Sequence, residues 1–330
     1  NDLTLVVGIF FANVIMILGI AFPALLENHQ ENISDSIVSE YQYILKTPVE
    51  TGEESAEKYC AATLVTMPGK LKSEDVTIYG ISDDSDYLDL EYNSDSVYIS
   101  SAFARKHKLQ KGDTVVLKEE YGTEEYSFRI KDVHEYIAGL AVFMSHDYFN
   151  EVFDNEETYY NAYFSDEKLE DIDSAYIAMT ITEDDYNQMS RQLTNSLGGV
   201  FDIFFWFGLV MFALIIYLLS KLVIEKNAQS ISMTKILGYF DGEIAGLYIL
   251  TTSLVVIASF ILTMPVVNKI MEVVCAVMLS DFGGWIPYYI PKDAFGKIII
   301  AGFIVYVAIA FGQFRKVKNV PMDIALKTVE

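Results

Sequence analysis

The 330-residue chain is 52% hydrophobic yet carries a formal net charge of −23, from 46 acidic and 23 basic side chains. A single evenly mixed globular domain does not combine these values, so apolar and acidic residues must be segregated along the chain. No basic footprint for phosphates is present, which excludes nucleic acid as a partner.

Leu3–Leu26 is the first of four runs that reach the roughly 20 residues a membrane-spanning helix needs. The others are Ile203–Ile224, Ile244–Met264 with a more polar continuation to Leu279, and Phe295–Phe314. The first run has no basic lead and no small-residue cleavage site, so it reads as a retained span and not as a signal peptide. The chain opens at Asn1, directly at the lipid boundary, and reads as a piece of a longer polypeptide.

Between Glu27 and Gly199 lie 36 of the 46 acidic and 13 of the 23 basic residues, and the remainder is neutral. The expected fold class is therefore a multi-pass α-helical membrane protein with four transmembrane helices and an inserted α+β extracytoplasmic domain. Its divisions are a first span at 1–26, the inserted domain at 27–199, three further spans within 200–315 and a tail at 316–330. Lys221, Lys226 and Lys235 in one connection, and Arg315, Lys316, Lys318 and Lys327 in the tail, place both on the cytoplasmic side of a cell membrane. Residues 27–199 and the 280–293 loop then lie outside.

After the first span a helical stalk is expected to about Leu45, followed by seven β-rich runs at 59–66, 76–81, 96–100, 113–120, 125–133, 140–145 and 161–165. Two short helices, 101–109 and 146–154, interrupt them. A second stalk, "EDDYNQMSRQLTNSLGGV", returns to the bilayer, with Gly198 and Gly199 as a flexible point. The acidic loop "DDSDYLDLEYNSD" (83–95) lacks the glycine and terminal Glu of an EF-hand and reads as solvated surface. His29, His107, His134 and His146 have no zinc-ligand spacing, and Cys60 and Cys275 fall in different regions. No metal, cofactor or disulfide is expected.

Between the second and third long runs, "QSISMTKILGY" (229–239) predicts a short amphipathic helix. Ile231, Lys235 and Ile236 fall near one face and Met233 and Leu237 together at i, i+4, with Gly238 supplying a left-handed cap. Such a helix either rests on the headgroups or turns an apolar edge to a neighbour. "SMTK" at 232–235 matches SxxK but has no SDN or KTG companion. No phosphate-binding loop, nucleophile elbow or catalytic constellation occurs, and catalysis is not expected of this chain. Pro265 predicts a kink in the third span, and Lys269 and Glu272 are spaced to pair on one helix face. The aromatic loop "FGGWIPYY" (282–289) reads as an interfacial belt, with a ligand platform as the alternative.

Three stretches resemble FtsX-like and MacB-like ABC transporter permeases. "SISMTKILG" (230–238) is similar to the cytoplasmic "EIGILKALG" motif, with Asn227-Ala228-Gln229-Ser230 in place of the usual Arg-Glu lead. "FRKVKNVPMDIALK" (314–327) is similar to the family's basic tail with its Ile-Pro step. "SDSVYISSAFARKHKLQKGDTVVLK" (94–118) is similar to a strand, helix, Lys-Gly-Asp turn and strand of the MacB-like outer domain. The resemblance implies a permease subunit without a nucleotide site of its own. It would dock on a separate ABC-type ATPase through Ile231, Met233, Lys235, Ile236 and Leu237, with Gly238 setting the exit angle. It also implies a second permease half or a homodimer partner, membrane lipid around the spans, and work on a peptide, lipid or envelope factor outside. A membrane-anchored sensor or ligand-binding protein without an ATPase is the alternative.

Overall fold

The computed structural model describes residues 2–69, 72–92, 96–280 and 283–322. Lys327, Phe282, the 93–95 end of the acidic loop and the 323–327 end of the tail motif lie outside the described residues.

The apolar first run, continued by polar helix formers, makes one helix, α1 (Asp2–Ser36). Eight strands and two helices follow: β1 (Tyr41–Leu45), β2 (Glu57–Thr66), β3 (Asp75–Ile81), β4 (Ser96–Ser100), α2 (Ser101–His107), β5 (Thr114–Lys118), β6 (Glu125–His134), β7 (Ala141–Ser145), α3 (His146–Val152) and β8 (Ala162–Ser165). β9 (Ile177–Thr182) then leads into α4 (Glu183–Lys226), α5 (Ala228–Ile236), α6 (Asp241–Met278) and α7 (Lys292–Lys318). Among the described residues four helices, α1, α4, α6 and α7, contain segments long and apolar enough to cross a membrane.

The chain divides into two compact units, one of residues 1–25, 195–275 and 288–330, the other of 26–194 and 276–287. The second is the α+β region. Its β2, β3, β7, β4, β6 and β5 each pair with two neighbours from the same set, so this part of the sheet closes on itself. The closure leaves few free strand edges. The first residues of β2 reach beyond the ring to β8, which continues the sheet through β1 to β9.

Period-two alternation in these strands sends side chains to two cores. One gathers Leu64, Val76, Ile99, Leu117, Phe128 and Met144 with Phe103 of α2 and Phe149 of α3. The other is aromatic, with Tyr59 stacked on Phe164 at 3.9 Å and Tyr79 on Phe143 at 5.1 Å. Serines start both short helices: Ser100 Oγ accepts from Phe103 N and Ser145 Oγ from Tyr148 N, as N-caps do. The strand, helix, turn and strand order expected over 94–118 is present as β4, α2, a turn with Gly112 at φ 91° and β5.

Three local expectations change. The first stalk does not continue to Leu45, because Tyr41–Leu45 is a strand held between β8 and β9. Gly198 and Gly199 lie inside α4 and do not interrupt it, each costing a helix only about 1 kcal/mol. Strand β9 was absent from the expected set although Ile177, Met179 and Ile181 alternate with Ala178, Thr180 and Thr182, because only its pairing with β1 distinguishes these six residues from the start of the following helix.

In the other unit small residues set the helix spacing. A Cβ at Gly19 of α1 would stand 2.6 Å from the backbone nitrogen of Phe205 in α4, and one at Gly208 would meet Met16 at 2.7 Å. Phe22 stacks on Phe201 at 4.3 Å. The fully buried Asn13 donates from Nδ2 to Thr263 Oγ1 at 2.7 Å and to the Phe260 carbonyl at 3.2 Å, which ties α1 to α6. Helix α6 runs on through Pro265.

Candidate functional site

Helix α5 has two unlike faces. Ile231 is fully buried among Ile224, Ile244, Ala245 and Val317, a small apolar core drawn from α4, α6 and α7. One turn later the Lys235 side chain is 4% exposed. Its Nζ donates to the carbonyl oxygens of Lys318 at 2.8 Å and Val320 at 3.1 Å, and lies 3.3 Å from Asp241 Oδ1. These partners fit their positions: the end of α7 offers carbonyls that favour a cation, and Asp241 in the first turn of α6 favours the dipole there. One ammonium therefore joins α5, the start of α6 and the end of α7.

The opposite face is apolar and exposed. Met233, Ile236 and Leu237 lie on it, Leu237 being 72% exposed, and Tyr239 and Phe240 extend it beyond the helix, Phe240 at 78%. Gly238 has φ 90°. Its N–H bonds the Lys235 carbonyl at 3.0 Å and Tyr239 N–H bonds the Thr234 carbonyl at 3.4 Å, the paired closure of a helix ended by a left-handed residue.

The six residues singled out from sequence thus divide. Ile231 and Lys235 are turned inward and hold the helix, so their side chains offer no surface to a neighbour. Ile236 leaves their face and joins Met233 and Leu237 outside, while Gly238 supplies the turn. Tyr239, Phe240 and Asp241 were missed. Exposed aromatics just past a glycine cap were the available signal for the first two, but a lysine's acidic partner across a turn has none.

The SxxK match carries no nucleophile chemistry here, since Ser232 is buried and the Lys235 ammonium is held by three oxygens. Cys60 is likewise no thiolate. Burial pushes its thiol up to about 12, and its Sγ lies 3.1 Å from the Tyr159 carbonyl. Among the described residues no three His, Cys, Asp or Glu side chains gather as metal ligands do. Lys269 and Glu272 pair at 2.7 Å on the exposed side of α6.

A second constellation lies in the α+β unit. Lys106 of α2, its side chain 3% exposed, pairs with Glu74 at 2.6 Å and donates to the Gly284 carbonyl at 2.9 Å. Gly284 has φ 89°, and Trp285 beside it packs against the main core of the unit. Trp285 is partly buried, one side of it taken up by this packing. It fastens the 276–287 segment to the domain.

Compared with models of known protein families and with curated proteins, the chain finds no match in either.

Proposed function

We propose that the chain is the permease subunit of an ABC transporter, set in a cell membrane by α1, α4, α6 and α7 with residues 27–199 outside. The observation that carries this reading is the construction of α5. Its inner face is locked by Ile231 and Lys235, and its outer face leaves Met233, Ile236, Leu237, Tyr239 and Phe240 bare. An apolar patch on a rigid mount fits a partner protein, whereas a helix that only rests on headgroups needs no such anchorage. Two further observations support it. Lys221 and Lys226 lie in the last turns of α4 and Arg315, Lys316 and Lys318 in those of α7, the helix ends that pack against α5, with Lys316 bonded to Tyr217 of α4 at 2.9 Å. The resemblance to FtsX-like and MacB-like permeases in 94–118, 230–238 and 314–327 points to the same class.

The partner is a separate ABC-type ATPase subunit. Its closure on ATP pushes the Leu237 face, and because Lys235 ties α5 to α6 and α7 the push enters three helices together. A second permease half or a second copy of the chain completes the assembly, with lipid around the spans. The outer domain then acts on a peptide, lipid or envelope factor.

Purification from native membranes, with ATPase activity measured for wild type and Leu237→Arg, tests the reading. It predicts an ABC ATPase that copurifies with wild type and loses its coupled activity in the variant, which still inserts. A preparation with no nucleotide-binding subunit contradicts it and leaves a membrane-anchored sensor.

A further inference from the structure

Strand β9 ends the sheet: it pairs with β1 on one side and, among the described residues, with no strand on the other. Its free edge carries backbone groups that point outward. Thr182 N–H donates to Asp185 Oδ2 at 2.9 Å, away from β1. Successive residues of a strand turn their N–H and C=O to opposite sides, so those of Thr180 also point away from β1. The partner strand agrees. Leu45 N–H donates to the Asn161 carbonyl at 2.8 Å on the β8 side, which turns Tyr43, opposite Thr180, to β8 as well.

Ala178, Met179 and Thr180 are exposed, Met179 by 56%. The strand holds no proline and no charged side chain, the devices that usually blunt such an edge. Met179 and Ile181 share the face of their register partners Ile44 and Gln42, and Thr180 shares that of Tyr43. A strand added at the edge would therefore set alternate side chains against apolar Met179 and Ile181 on one face and beside Thr180 on the other.

Charge selects the occupant. Asp171 and Asp173 precede the strand in sequence, and Glu183, Asp184 and Asp185 follow it. Of the cations nearby, Lys46 Nζ donates to the Ala175 carbonyl at 3.0 Å and Arg191 pairs with Asp184 at 2.9 Å. A second copy of β9, antiparallel to the first, would bring the acidic start of one strand against the acidic end of the other, and like charges placed opposite destabilise a pairing. A segment with lysine or arginine at both ends meets the opposite sign at each.

We infer that the free edge of β9 is a binding site for an extended peptide segment with an uncharged middle and basic ends, added as a further strand. Backbone hydrogen bonds hold it, and the flanking carboxylates choose it. The inference narrows what the outer region would act on in a transporter, yet does not rest on that reading and holds equally for a sensor. Its test involves no ATPase, so the two fail separately.

The test uses the full chain in nanodiscs of zwitterionic lipid, with three synthetic peptides. One alternates threonine and valine between paired lysines, one carries glutamates in place of the lysines, and one keeps the lysines but has prolines in its middle. The lysine peptide is expected to bind saturably and to slow hydrogen exchange across 177–182, and the glutamate and proline peptides to do neither. Thr180→Pro should weaken the lysine peptide about tenfold, the worth of one backbone hydrogen bond. It should leave the β1 pairing in place, because the N–H it removes points outward. Equal binding of the proline peptide to wild type would reduce the site to charge alone and overturn it, as would equal binding of the glutamate peptide or unchanged exchange at 177–182. Slowed exchange there that grows with protein concentration in the absence of peptide would overturn it in favour of a second copy of the chain.

Discussion

Lys235 Nζ lies 3.3 Å from Asp241 Oδ1, so the short helix α5 is closed against the first residue of α6 by an ion pair whose lysine is buried. Two carbonyls from the end of α7 complete the shell around the same ammonium. Lys235→Met should leave three oxygens without their cation and loosen the helix. Because the Asp241 carboxylate left behind is 39% exposed, the loss is chiefly that of the two hydrogen bonds from the ammonium, about 1.5 kcal/mol. Hydrogen exchange should show the amides of 228–237 losing about tenfold of protection, with the amides of α1 unchanged.

Trp285 and Lys106 make the second fastening. Trp285→Ala should free the 283–287 segment from the α+β core at a cost of about 2 kcal/mol, less than for a fully buried tryptophan because Trp285 is only half-buried. Lys106→Met should act in the same direction by leaving Glu74 buried without its cation. Limited proteolysis within 283–287 should accelerate in both variants, and an unchanged rate would contradict the fastening.

Acid should weaken the α+β unit before its carboxylates titrate. Burial holds the His107 imidazole below its ordinary range despite the nearby Glu74, and does the same to His134 despite Glu135. The unfolded chain takes up these protons at about pH 6.5, the folded chain only at lower pH. Their stabilisation is therefore complete above about pH 6.5 and is lost as pH falls below it. Glu50 beside Lys58, Asp132 beside Lys111 and Asp171 on the Gly52 N–H are all held low, so they add their losses only in stronger acid, below about pH 4.5. Thermal unfolding between pH 7.5 and 5 should show a falling midpoint, and the double variant His107→Gln, His134→Gln should make the fall shallower, with His29, pushed down to about 4 by burial, carrying the remainder.

Gly19 brings the α1 and α4 backbones together, and any side chain there meets main-chain atoms that cannot rotate away. Gly19→Ala should cost about 1–3 kcal/mol through overpacking, read as a lower melting temperature in detergent. Gly246→Ala, where an added Cβ meets nothing within 4 Å, is the matched control and should not lower it.

The ring strands could be read from sequence because they are β-branched and aromatic runs bounded by turns. "SVYIS" and "AVFMS" announce β4 and β7 in this way, and the serine that closes each strand starts the following helix. "YQYIL" was lost to the preceding helix because five residues fit either period, and only its pairing with β8 and β9 decides the matter. The candidate site was half visible. A glycine-ended helix with Met233 and Leu237 one turn apart is a local pattern, whereas Lys235 owes its burial to carbonyls 83 and 85 residues away. Trp285 is similar: its local context is that of an interfacial aromatic, and its docking depends on Lys106, far earlier in the chain.

The exposed end of α5 is where the account is most directly tested. A photoreactive phenylalanine placed at Leu237 in native membranes, with the crosslinked product identified by mass spectrometry, reads its neighbour directly. The account predicts a covalent adduct with an ABC-type ATPase subunit. Adducts with lipid alone, or with proteins found only outside the cell, would contradict it.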